Sequence, residues 1–111
     1  MAVYANFSVD SGISFTTTLT VEGLDGMVFD LTGYTARGQI RKTYLSTTAV
    51  DFVTEINEPV HGKLVLHLSA VTTATMKPGR YQFDVEIVSA AIVMRVVEGQ
   101  IEVNPRITRP S

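Results

Sequence analysis

The chain contains no cysteine and no tryptophan. Without thiols there is no disulfide framework, no thiolate metal site and no cysteine nucleophile, so packing alone must hold the fold. Charge is scarce too: Asp, Glu, Lys and Arg make up 18% of the residues and the net charge is −2, against a usual quarter for globular domains. Acids and bases are interspersed, which argues against a polybasic surface for nucleic acid or for an anionic membrane. No apolar run approaches the roughly 20 residues of a membrane-spanning helix. The start, Met-Ala-Val-Tyr-Ala-Asn, lacks the basic end and apolar stretch of a signal peptide, so the expectation is a soluble protein made in the cytoplasm. Histidine occurs only at His61 and His67. Zinc sites draw on three or four ligands, with histidines commonly three to five apart. Two solvated imidazoles are expected, with no metal and no cofactor.

What is present is apolar. Hydrophobic residues are 45% of the 111 positions and the mean hydropathy is +0.20. That length predicts a single domain, 1–111, with a modest core. A small domain so poor in charge either fills a sandwich and leaves Thr on its exposed strands, or hides part of its surface against a partner.

The most regular stretch is Lys77–Ile87. It opens on a Pro78-Gly79 turn, then alternates strictly: Tyr81, Phe83, Val85 and Ile87 point one way, Arg80, Gln82, Asp84 and Glu86 the other. A two-residue period means a strand with one apolar and one wet face. The spacing Gly79-x-Tyr81-x-Phe83 matches the tyrosine corner of immunoglobulin-like sandwiches, in which the Tyr hydroxyl reaches back to upstream backbone. Pro78, Gly79, Tyr81 and Phe83 are the expected structural corner, with a buried hydroxyl bond.

Before it, Val3–Val9 reads as a short strand or as an arm (1–9) that pairs with a neighbour. Ile13–Val21 alternates, with Thr16, Thr18 and Thr20 on the outer side. Asp25-Gly26 signals a hairpin turn, and Val28–Leu31 a short strand. Tyr34–Lys42 puts Tyr34, Ala36, Gly38 and Ile40 inward. Gly38 weakens that strand unless something packs close or a bulge sits there. Val50, Phe52, Thr54 and Ile56 form the next strand, and Leu64, Leu66 and Leu68 another, with His67 outside. Ser69–Met76 is the one short helical segment, capped by Ser69 and stopped by Pro78-Gly79. Ile92–Val97 is greasy on both faces, which predicts either a central strand or an interface. Residues 104–111 are an extended tail containing Pro105 and Pro110. About eight strands with turns every 8–12 residues predict an all-β, immunoglobulin-like antiparallel sandwich; a partly closed barrel is the fallback.

Signals of chemistry are weak. Asp25, Asp30 and Asp51 lie at turns, where Asp bonds local backbone. There is no calcium loop, and no Gly-x-Ser-x-Gly elbow. Gly23–Gly26 is too short to cradle phosphate. Asn6-Phe7-Ser8 is a glycosylation sequon, without a signal peptide to bring it to the machinery. Arg37, Arg41 and Lys42 form either a grip for an acidic partner or a soluble face. An enzyme is not expected.

Three stretches carry a family resemblance: Phe29-Asp-Leu-Thr-Gly-Tyr-Thr-Ala-Arg-Gly-Gln-Ile-Arg-Lys42, the run Leu66–Glu86 with its Met-Lys-Pro-Gly-Arg-Tyr-Gln-Phe, and Arg95-Val-Val-Glu-Gly-Gln-Ile-Glu-Val-Asn-Pro105. Together they resemble small β-sandwich structural proteins of tailed bacteriophages and are similar to the amino-terminal domain of phage baseplate upper proteins. The resemblance runs from about Asp10 to Pro105. It implies a virion structural protein in the tail, baseplate or neck, made in the host cytoplasm, with other virion proteins as partners and several copies per particle. Baseplate upper proteins continue into a fibre-bearing region, and none follows Ser111 here, so a stand-alone component is expected. A capsid cement or decoration protein is the nearest alternative; a carbohydrate-binding adsorption module is the alternative of another class, with Tyr4 and Tyr44 as its exposed aromatics. Candidate partner contacts are Tyr4, Phe7, Arg37, Arg41, Ile92, Met94 and Arg106.

Overall fold

A computed structural model describes residues 3–23, 25–43 and 45–107. The order of elements is β1 (Val3–Asp10), β2 (Phe15–Thr20), β3 (Thr35–Arg41), β4 (Val50–Asp51), β5 (Val53–Glu58), a 3-10 turn (Pro59–His61), β6 (Lys63–Leu68), α1 (Ala70–Ala74), β7 (Gly79–Val88) and β8 (Val93–Asn104). They form an all-β sandwich: a five-stranded sheet ordered β1-β8-β7-β3-β4 faces a three-stranded sheet ordered β2-β6-β5.

The period-two pattern decides which side chains meet between the sheets. From the larger sheet come Ile40, Phe83, Val85, Ile87, Ile101 and Val103; from the smaller come Leu64, Leu66 and Leu68, all at 5% exposure or less. Phe83 is the hub of an aromatic chain, 5.3 Å from Phe7 and 5.8 Å from Phe52 between ring centroids, with Phe15 5.6 Å beyond Phe7. Edge-to-face and tilted rings of this kind add to area burial, about 0.5–1.5 kcal/mol per pair.

Four features depart from the sequence expectation or sharpen it. First, β1 pairs with β8 in parallel, Val3 opposite Val97 through Asp10 opposite Asn104, so the sandwich is not wholly antiparallel. From Val3 onward the expected arm is an edge strand of the chain's own sheet. It is held by Phe7 and Val9 turning into the core. Second, the run Val50–Ile56 is not one strand. It changes sheets at Phe52, pairing with β3 before it and with β6 after it. Phe52 N–H donates to Gly38 O at 3.0 Å, and the ring seats where a Gly38 Cβ would stand 2.9 Å from it. Gly38 is the close-packing glycine of an otherwise sound strand. Third, Val96 and Val97 are both buried, at 4% and 5%. A bulge between Val85 and Glu86 sets Glu86 opposite Arg95 and leaves Val96 as the extra residue. Val96 and Val97 thus both face inward, as bulges re-aim side chains, while Ile92 and Val93 stay about half exposed; the strand is central in its sheet, one of the two expected alternatives. Fourth, Val28–Leu31 makes only a bridge, Glu22 to Val28.

Gly99 likewise meets a close approach that leaves no room for a side chain. The β1 backbone at Ala5 occupies the place of a Gly99 side chain, which lets the parallel strand lie flush on β8.

Candidate interaction surfaces

The tyrosine corner forms as expected in all but one respect. Tyr81 Oη donates to Lys77 O at 2.7 Å, and Lys42 Nζ stands 4.7 Å from the ring centroid. The hydroxyl bond is exposed rather than buried, which lowers its worth. Gly79 turns at φ 140°, after which Phe83 enters the core. Upstream, Ser69 caps α1 by accepting from Thr72 N–H at 3.2 Å. Thr73, fully buried, ties the helix to the β1–β2 turn: its Oγ1 donates to Ile13 O at 2.9 Å and accepts from Gly12 N–H at 3.0 Å. Sequence reasoning missed Thr73, because a Thr within a Thr-rich segment carries no signal of its own.

The outer face of the larger sheet brings three of the candidate contacts together. Tyr4, Arg37 and Arg41 border one shallow trough of about 900 Å³, with Gln39, Gln82 and Glu98 among its other walls. Strand register sorts this face into rows, such as Arg37 beside Glu86 beside Arg95. Its cations are already answered. Arg37 Nε is 2.8 Å from Glu86 Oε1, and Arg95 Nε 3.2 Å from Asp84 Oδ2. Arg41 donates to Ser46 O at 2.6 Å and to Gln39 Oε1 at 3.1 Å. Such surface pairs are worth little, about 0–1 kcal/mol; their effect is to leave a face near neutrality rather than a basic grip. Tyr4, 63% exposed, rises from it as the one exposed large ring among the described residues.

Phe7 belongs elsewhere. It faces inward against Phe15 and Phe83, so it packs partly into the core rather than standing on the outer face. Arg106 lies over the β1–β2 turn, its Nη1 donating to Gly12 O at 3.4 Å. Met94 packs partly against the core and lines a depression with Met27, Val28 and Phe29, which Glu22, Asp25 and Asp30 also border. Ile92, at 46% exposure, and Val93, at 55%, stand at the adjoining β7–β8 turn. Tyr44 and residues 108–111, with Pro110, lie outside the described residues.

The titratable groups serve local structure. Asp30 Oδ1 accepts from Thr32 Oγ1 at 2.6 Å and from Thr32 N–H at 2.9 Å. The hydroxyl first, then the amide, hold its carboxyl below the ordinary value. Asp25 likewise accepts from Met27 N–H at 2.9 Å. Asp51 does not bond local backbone: it accepts from Gln39 Nε2 at 3.0 Å across the β3–β4 pair. His67 Nδ1 lies 2.8 Å from Thr16 Oγ1 on the outer face of the smaller sheet. Among the described residues, no three His, Asp or Glu side chains come together as a metal site would need, and no helix is long and apolar enough to cross a membrane.

No family model matches the chain, and no curated protein does. Among solved structures, the chain is similar to the crystal structure of Listeria monocytogenes InlP, with a TM-score of 0.50 and 13% identity. The match takes in 93% of this chain and 28% of that one. At such identity the likeness speaks for the sandwich fold alone.

Proposed function

We propose that this domain is a non-enzymatic structural protein of a tailed-phage virion, acting through protein–protein contacts in the tail, baseplate or neck. The observation that carries the reading is a surface whose unusual features are contact features. Met27, Val28, Ile92 and Val93 stay 46–67% exposed, and Met27 and Val28 line a depression with Phe29, Met94 and Val96 that Glu22, Asp25 and Asp30 also border. Exposed apolar groups gathered in this way mark interaction surfaces. The three stretches behind the family resemblance support the same reading, since they hold turn, corner and bulge positions of the scaffold. Capsid decoration is the same kind of work on another surface. A carbohydrate-binding adsorption module is the second reading, favoured by the exposed Tyr4 ring above a neutral polar trough. Immunogold labelling of purified particles with antibody to the pure domain tests the first reading. Gold at a fixed position on the tail, baseplate or neck is expected; unlabelled particles together with a clear glycan-array signal would favour the second.

A further inference from the structure

We infer that β1 is a homodimerisation edge, pairing antiparallel with β1 of a second copy about a two-fold axis through Asn6. The four sheet edges of the sandwich are not alike. β4 is two residues long and carries Asp51. β5 carries Glu55 and Glu58 and is interrupted by a register shift between them. Short length, charge and bulges are the devices by which folded proteins blunt an edge. β1 has none of these from Val3 to Val9: no charge, no proline and an unbroken register with β8. Among the described residues, no strand lies on its other side. Neighbouring β2, the open edge of the facing sheet, is uncharged as well. One flank of the sandwich is therefore shielded and the other is bare.

The sequence of β1 says what covers it. Val3-Tyr4-Ala5-Asn6-Phe7-Ser8-Val9 is patterned symmetrically about Asn6. Antiparallel pairing with itself in that register sets Val3 beside the partner's Val9 and Tyr4 beside the partner's Ser8. Ala5 then meets the partner's Phe7, small against large, and Asn6 meets its own copy. Side chains directly opposite in such a pair share a face. Inward residues thus meet inward ones, hydroxyl meets hydroxyl, and Asp10 falls outside the pairing. A one-residue slip would set inward against outward along the whole strand. The arrangement also covers Val3, which is 55% exposed in the single chain. A two-fold contact between identical patches is the commonest route to a closed dimer.

This pairing is independent of the virion reading: a monomer would end the first and leave the second standing, and absence from particles would do the reverse. The test uses the whole chain, whose lack of native cysteine makes crosslinking unambiguous. By light scattering over a concentration series, the 12.1 kDa chain should rise toward twice its mass. Asn6→Cys should form a disulfide-linked dimer on mild oxidation, since directly opposed residues fall within bridging distance; Thr18→Cys, on the outer face of β2, should not. Asn6→Lys should remain monomeric with an unchanged circular-dichroism spectrum, and Tyr4→Lys, at an exposed side chain that makes no hydrogen bond among the described residues, should weaken association too. A chain that stays monomeric at every concentration overturns the proposal. So does a dimer that both lysine variants preserve, or one in which Asn6→Cys fails to crosslink.

Discussion

Gly99→Ala makes the sharpest demand on this structure, because two effects of opposite sign compete. Replacing a strand glycine by alanine, where the backbone permits it, stabilises by about 0.4–1 kcal/mol through the unfolded chain. Here the added Cβ would fall on the backbone of Ala5, 2.7 Å from its carbonyl carbon and 3.1 Å from its nitrogen, with the carbonyl oxygen nearer still. Main chain cannot swing aside as a side chain can, so β1 has to lift. Overpacking relieved by backbone shifts costs about 1–3 kcal/mol. The upper part of that range applies, because β1 also carries Val9, 3% exposed, and Phe7, whose ring is tilted against Phe83. Steric cost therefore outweighs the entropic gain, and a net loss of about 1–2.5 kcal/mol is expected. For a domain of this size, that lowers Tm by about 4–10 °C. Thermal melts at low protein concentration read the shift. Hydrogen exchange should show the β1 and β8 amides losing protection ahead of β6. A variant that melts at or above the wild-type temperature would refute the close approach of β1 to β8.

Three further outcomes follow from particular contacts. Tyr81→Phe removes an exposed hydroxyl bond and should cost about 0.5–1.5 kcal/mol, read as a Tm fall of a few degrees; an unchanged melt would deny the corner its role. Phe83→Ala and Leu66→Ala should each cost about 2–5 kcal/mol, while His67→Ala and Gln82→Ala stay within about 1 kcal/mol in urea melts; equal losses in both sets would mean the wrong face points inward. Asp30 gains stability from being ionised, so its contribution is complete above its unfolded value of 3.8 and is lost as pH falls through the lower folded value. The Tm difference between wild type and Asp30→Asn should be flat above that pH and shrink below it, and a difference that grows on acidification would reverse the sign.

Much of the sandwich is legible from residue alternation. β2, β3, β6 and β7 each follow the two-residue period, and their inner faces form the core. The corner is legible from Pro78, Gly79 and Tyr81, because turn chemistry and strand entry are both local. The hidden features are those that depend on a partner distant in sequence. Nothing around Phe52 announces a change of sheet; the cause is the empty Cβ position of Gly38 on another strand. Ile92–Val97 offers two greasy faces, but the bulge that turns Val96 and Val97 inward exists only in the pairing with β7. The parallel course of β1 likewise depends on Gly99. On the surfaces, Tyr4, Arg37 and Arg41 are legible as outward residues of strands, whereas the ion pair and hydrogen bonds that occupy the two arginines depend on the register with Glu86 and on the Ser46 loop. Phe7 misled because a strand at the start of a chain gives no sign of which face will be covered.

The proposed role is tested most directly by counting the domain in intact particles. Gradient-purified virions, washed in high salt, would be digested with isotope-labelled reference peptides of this chain and of a tail protein of known symmetry. A structural component should appear at the same whole-number ratio in every preparation and survive the wash. A ratio that drifts between preparations, or falls toward zero after washing, would contradict it.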